Sequence, residues 1–185
     1  PRDEQRLQQA LETAVGIEDG PSGLRFSKDP LPEPLPAVRS VGTVDVLFEQ
    51  GEPQVLVVGW GQFAGMAVEV GRRLAQQGVG VQVVDPVWAL PVSADLVHLA
   101  GTHQLVITLE DGGLAGGLGA RLAQECRLAG VPATIREFGV PQQFVDQGTR
   151  AGILDELGLN AQTIARYATE AVLADASHAE AHAAQ

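Results

Sequence analysis

His103-Gln-Leu-Val-Ile-Thr-Leu-Glu-Asp-Gly-Gly-Leu-Ala-Gly-Gly-Leu-Gly-Ala-Arg121 is the stretch whose reading decides the architecture. Leu105 to Leu109 has the length and β-branched content of a buried strand. Two carboxylates, Glu110 and Asp111, follow it, and a glycine-dense turn then leads into a helix that starts near Gly117. A strand that ends at an acidic pair, turns through glycine and enters a helix is the repeating unit of an open α/β sheet. Such sheets place ligands at the carboxyl ends of their strands.

Outward from this stretch the same rhythm repeats. Val44 to Phe48 and Gln54 to Gly59 read as strands, and Gln50-Gly51-Glu52-Pro53 between them predicts a hairpin. Gln62 to Gln77 reads as a helix stopped by Gly78, Val79 to Val84 as a strand, and Ser93 to Ala100 as a helix with Ser93 as its N-cap. Ala133 to Phe138 is a further strand. Thr149 to Leu157 and Ala161 to Ala174 are closing helices, the second capped by Asn160. The alternation predicts an α/β fold, a mostly parallel open sheet with helices on both faces.

The N-terminal part has a different character. Asp3 to Val15 has Leu7, Ala10, Leu11 and Ala14 at helical spacing, and Gly23 to Phe26 reads as a short strand. Prolines 30, 32, 34 and 36 exclude helix and central strand. The expected organisation is a separate helix-plus-strand unit over 1–28, a proline-rich linker over 29–40, the main domain over 41–174 and a fraying tail over 175–185.

Composition narrows the function. The formal net charge is −11, which argues against nucleic-acid or anionic-membrane surfaces. Cys126 is the lone cysteine, so neither a disulfide framework nor a thiolate metal site is expected. No secretory or membrane-length apolar run occurs, so a cytoplasmic protein is expected. The chain begins at Pro1 rather than at methionine and is read as a piece of something longer.

The candidate sites are weighed on spacing. The glycine turn fails the dinucleotide fingerprint, because Gly117 and Gly119 are followed at position 122 by leucine; it also lacks the lysine of a P-loop. Glu110 and Asp111 would repel a phosphate there, so the glycines are read as allowing close helix–sheet packing. Trp60 and Trp88 are read as packing residues near the sheet edge, and His103 as hydrogen-bonded structure. No residue qualifies as a catalytic nucleophile, a metal ligand or a cofactor ligand. Arg25 and Lys28, the latter the chain's only lysine, are two bases close together at a strand end and would suit a phosphate or carboxylate.

An ordered series of fragments carries a resemblance. Pro1-Arg2-Asp3, Asp19-Gly20-Pro21, Leu24-Arg25-Phe26, Val83-Val84-Asp85-Pro86, Trp88-Ala89-Leu90-Pro91, Thr108-Leu109-Glu110-Asp111, Gly116-Gly117-Leu118-Gly119 and Gly139-Val140-Pro141 resemble the C-terminal portion of the 1-deoxy-D-xylulose-5-phosphate synthases of the transketolase superfamily, in actinobacterial wording. The resemblance implies a transketolase C-terminal domain preceded by the end of the pyrimidine-binding domain. It also implies a homodimeric parent enzyme that condenses pyruvate with glyceraldehyde 3-phosphate. Thiamine diphosphate and magnesium are implied to bind upstream of this chain, leaving it without catalytic residues and inactive by itself. Arg25-Phe26-Ser27-Lys28-Asp29 matches the family's Arg-[Tyr/Phe]-Pro-[Arg/Lys]-Gly segment, so Lys28 is implied to contact substrate phosphate, with Arg25 as its partner. Ser27 and Asp29 depart from the proline and glycine of that pattern. Glu110, Asp111 and His103 are expected at a domain or dimer interface. The alternatives are the C-terminal domain of another transketolase or pyruvate dehydrogenase β-subunit-like enzyme, and a free-standing interaction module.

Overall fold

The computed structural model describes residues 1–27 and 29–183, with residues 176–183 described as backbone. The elements in chain order are α1 (Glu4–Val15), β1 (Arg39–Val41), β2 (Val44–Gln50), β3 (Val55–Gly59), α2 (Phe63–Gln76), β4 (Val81–Asp85), α3 (Ala94–Gly101), β5 (Leu105–Gly113), α4 (Leu118–Leu128), β6 (Ile135–Val140), α5 (Arg150–Glu156) and α6 (Ala161–Ala183). The strands form one sheet in the order β1-β2-β4-β3-β5-β6. β4, β3, β5 and β6 run parallel, and β1 and β2 are added antiparallel at one edge.

The two-residue alternation of the strands divides the core into two layers. Val55 and Val57 of β3, with Leu105, Ile107 and Leu109 of β5, face α2 and α6. Leu56, Val58 and Val106 face α3 and α4. β3 and β4 are buried along their whole length, as central parallel strands covered on both faces must be. Helix starts follow the polar residues that cap them: Ser93 Oγ accepts from Leu96 N at 3.2 Å, Thr149 Oγ1 from Gly152 N at 3.2 Å and Asn160 Oδ1 from Thr163 N at 2.8 Å.

Four expectations are corrected. The hairpin between β2 and β3 does not form. β4 lies between them, so β2 pairs antiparallel with β4, and the hairpin joins β1 to β2 through Gly42, whose φ is +55°. β3 thus lies between two parallel neighbours, β4 and β5, and helices cover both its faces. Leu24 to Phe26 is not a strand, because no neighbouring strand offers it a ladder. The backbone stays helical beyond Ala174, to Ala183, because nothing between breaks an alanine-rich helix. Trp60 follows the interior strand β3 and is buried rather than near a sheet edge.

Candidate functional site

The connection β3–α2–β4 runs toward one edge of the sheet and β5–α4–β6 toward the other. α2 and α4 lie on opposite faces. The carboxyl ends of β3 and β5 are therefore the topological switch point, where open α/β sheets form their crevice. A cavity of about 320 Å³ opens there, between Trp60 and Gly61 after β3 and Asp111 and Leu118 around β5 and α4. Further wall comes from Val87 and Ala89 after β4 and from the N-terminal arm, through Arg25, Phe26 and Ser27. The volume falls at the lower end of small-molecule sites.

The N-terminus of α4 behind the glycine turn is not open to a ligand, because the chain fills it. Glu110 is 2% exposed, and its carboxylate accepts from Leu118 N at 2.7 Å and Gly119 N at 3.0 Å. A carboxylate at a helix N-terminus satisfies two orphan N–H groups and complements the helix dipole. The glycines make this approach possible. A Cβ on Gly117 would lie 2.5 Å from both Glu110 oxygens, and one on Gly119 would lie 2.3 Å from Thr108 Oγ1. Glu110, expected at an interface, thus points into its own domain.

Asp111, one residue on, is half-exposed and faces the crevice. Arg150, the first residue of α5, reaches Asp111 Oδ1 at 3.2 Å and Asp29 Oδ2 at 3.6 Å, with its guanidinium 5.9 Å from the centre of the Phe63 ring. Ser27 Oγ donates to Asp29 at 3.0 Å and accepts from Asp29 N at 3.1 Å. The two departures from the family segment are bonded to each other, and the added carboxylate lies beside Arg150 at the start of α5. Arg25 is exposed and lies along the crevice wall, with no ion pair among the described residues. Lys28 lies outside the described residues.

His103 is away from the crevice, after α3. Its Nδ1 bonds to Leu99 O at 2.7 Å, and burial lowers its pKa, which favours the neutral ring. Cys126 is buried on α4, where desolvation raises its thiol pKa and keeps it unreactive.

Sequence reasoning missed a buried ionic cluster beside the crevice. Arg2 Nη1 donates to Asp45 Oδ2 at 2.7 Å and Asp85 Oδ2 at 2.8 Å, and Arg2 Nε donates to Leu35 O at 2.7 Å. Arg6 also pairs with Asp45. Burial pulls the Arg2 pKa down, but the hydrogen bonds to Asp85 and Asp45 outweigh it and hold the pKa above its ordinary value. The available signal was a carboxylate inside each of two apolar strands, Val44-Asp45-Val46 and Val83-Val84-Asp85, since a buried carboxylate needs a partner.

Residues 42–164 match the transketolase, C-terminal domain family. The 1-deoxy-D-xylulose-5-phosphate synthase of Clavibacter sepedonicus is 46% identical over 174 residues, covering 94% of this chain and 27% of that protein. The synthase of Rhodococcus erythropolis is 47% identical, covering 91% and 26%. The chain thus spans about a quarter of the length of these relatives. Among solved structures, a split-gene transketolase described as an inactive β4 tetramer superposes with a TM-score of 0.71 at 26% identity, over 93% of this chain and 56% of that one. A transketolase mutant from Pichia stipitis shares the fold, with a TM-score of 0.68 at 16% identity over 92% of this chain and 24% of its own.

Proposed function

Since this chain belongs to the transketolase C-terminal domain family, we propose that it is the C-terminal part of a 1-deoxy-D-xylulose-5-phosphate synthase. The parent enzyme condenses pyruvate with glyceraldehyde 3-phosphate, releasing carbon dioxide. The observation that carries this reading is the identity of 46% across 94% of the chain, confined to 27% of a synthase's length.

In this reading the parent is a cytoplasmic homodimer that uses thiamine diphosphate and magnesium, and the cofactor supplies the carbon chemistry. The residues of this chain do not fit that group. The α4 N-terminus, the place for a diphosphate, is occupied by Glu110. Among the described residues no three His, Cys, Asp or Glu converge as a metal site. The cofactor is assigned to the upstream domains, and the chain alone is expected to be inactive. The split-gene relative described as an inactive assembly supports that expectation. Leu11, Val15 and Phe26, apolar and exposed around α1 and the arm, suit packing against those upstream domains.

The arm Arg25–Lys28 supplies the site. Lys28 is assigned to the phosphate of glyceraldehyde 3-phosphate and Arg25 to its orientation. Asp29 opposes this least when held by Arg150 and Ser27, as it is here. In the intact synthase, Lys28→Ala should raise KM for glyceraldehyde 3-phosphate about 10- to 100-fold, the loss of one charge-assisted hydrogen bond, with kcat less affected. An unchanged KM rejects the assignment. Tight calorimetric binding of thiamine diphosphate to this chain alone would overturn the placement of the cofactor.

A further inference from the structure

Asp45 and Asp85 are directly opposed cross-strand partners in the β2–β4 ladder, and both are buried. Like charges facing each other across a ladder destabilise a sheet, so this register depends on a cation between them. Among the described residues the only side chain bonded to both is Arg2, from a segment 43 and 83 residues away in sequence. Asp3 works alongside it. Its Oδ1 caps α1 through Arg6 N at 2.9 Å, and its Oδ2 accepts from Leu35 N at 2.9 Å. Leu35 therefore has its carbonyl held by Arg2 and its N–H held by Asp3.

α1 contributes no buried residue to the core, and an isolated helix of its length is marginal in water. Arg2 and Asp3 just before its first turn, with Arg6 inside it, therefore hold it on the sheet in place of a fully buried apolar face. The arm follows the helix: Ser22 Oγ donates to Ala14 O at 3.0 Å, and Gly23 to Arg25 lie against α1 and Trp88 around a cavity of about 210 Å³. Asp85 reaches the crevice as well. Its Oδ1 accepts from Val87 N at 2.9 Å, holding that β-branched residue at φ 67° on the crevice wall.

We propose that Arg2 is a positioning residue: clamped between Asp45 and Asp85, it fixes α1 on the sheet and thereby sets where the arm from Arg25 to Ser27 lies along the crevice. The substrate side of this role rests on the phosphate reading of Lys28; the clamp does not.

Amide exchange on the whole chain tests the clamp. In Arg2→Ala, exchange through α1 should accelerate at least about 100-fold and to well above the rates in β3 and β5, which follow only the loss of global stability. Acrylamide quenching of Trp88, at the wall of the α1 cavity, should rise with it. Because Arg2→Ala leaves two opposed carboxylates, Arg2→Ala/Asp85→Asn serves as the second variant, relieving the repulsion while still lacking the clamp. If α1 keeps its protection in either variant, or if β3 and β5 lose as much protection as α1 in both, the proposal is wrong. In the intact synthase, Arg2→Ala should raise KM for glyceraldehyde 3-phosphate about fivefold or more, with kcat within about twofold. Released α1 with unchanged KM overturns the positioning role. Lys28→Ala with unchanged KM overturns the phosphate reading alone, since α1 exchange is read without substrate.

Discussion

Glu110 shows how one side chain turns an apparent ligand loop into structure. Its carboxylate occupies the place at the start of α4 that an external anion would take, with two short bonds from Leu118 and Gly119. Glu110→Ala leaves both N–H groups without an acceptor in a buried position and should cost about 2–4 kcal/mol. Gly117→Ala should cost about 2–3 kcal/mol, because its Cβ would meet the Glu110 oxygens at 2.5 Å and the Gly113 carbonyl at 2.4 Å. Removing Glu110 relieves the first clash and leaves the second. The double variant should therefore lose less stability than the two singles together. Urea denaturation of the four proteins measures this, and strict additivity would show that Gly117 and Glu110 are not coupled.

At the scale of elements, α2 sits against the sheet through Gly71. A Cβ there would lie 2.4 Å from Val83 Cγ2 and 3.2 Å from Phe48 Cδ1, whereas a Cβ on Gly65 of the same helix meets nothing. Alanine gains about 1 kcal/mol of helix propensity over glycine, and overpacking a core contact costs about 1–3 kcal/mol. Gly71→Ala should therefore destabilise, while Gly65→Ala should stabilise by about 0.5–1 kcal/mol. Shifts of the same sign in denaturation midpoint would mean that the helix–sheet approach does not depend on Gly71. Elements of this kind were legible in the sequence, because strands and helices here carry clean periodicity and strong caps such as Ser93 and Asn160. Strand order was not legible. The Gln50–Pro53 turn looks the same whether its flanking strands pair or accept β4 between them, and only long-range burial decides that. The candidate site was half legible: Arg25 reaches the crevice, but Trp60, Asp111 and Arg150 meet there only through the fold. Leu24–Phe26 failed as a strand because strand propensity has no outlet without a ladder partner.

At the scale of the molecule, charge joins the N-terminal segment to the sheet. Both apolar clusters draw their buried residues from Val44 onward, so a chain spanning 30–185 retains the whole core and should unfold cooperatively. It lacks Arg2 and Arg6, which leaves Asp45 and Asp85 opposed across the ladder without their cations. Removing one partner from a buried pair costs about 3–5 kcal/mol, less where water can reach the orphaned charge. At about 2–4 °C per kcal/mol for a domain of this size, the melting temperature should drop by roughly 5–10 °C. The sign of a second change is the sharper test. In the full chain, Asp85→Asn removes a charge from Arg2 and should lower the melting temperature. In the 30–185 chain the same substitution removes a repulsion and keeps an oxygen for Val87 N, so it should raise it. Thermal melts of the four proteins decide the matter: a substitution that destabilises both chains would mean that Asp45 and Asp85 do not repel, and the cluster would then contribute packing rather than a charge-specific join.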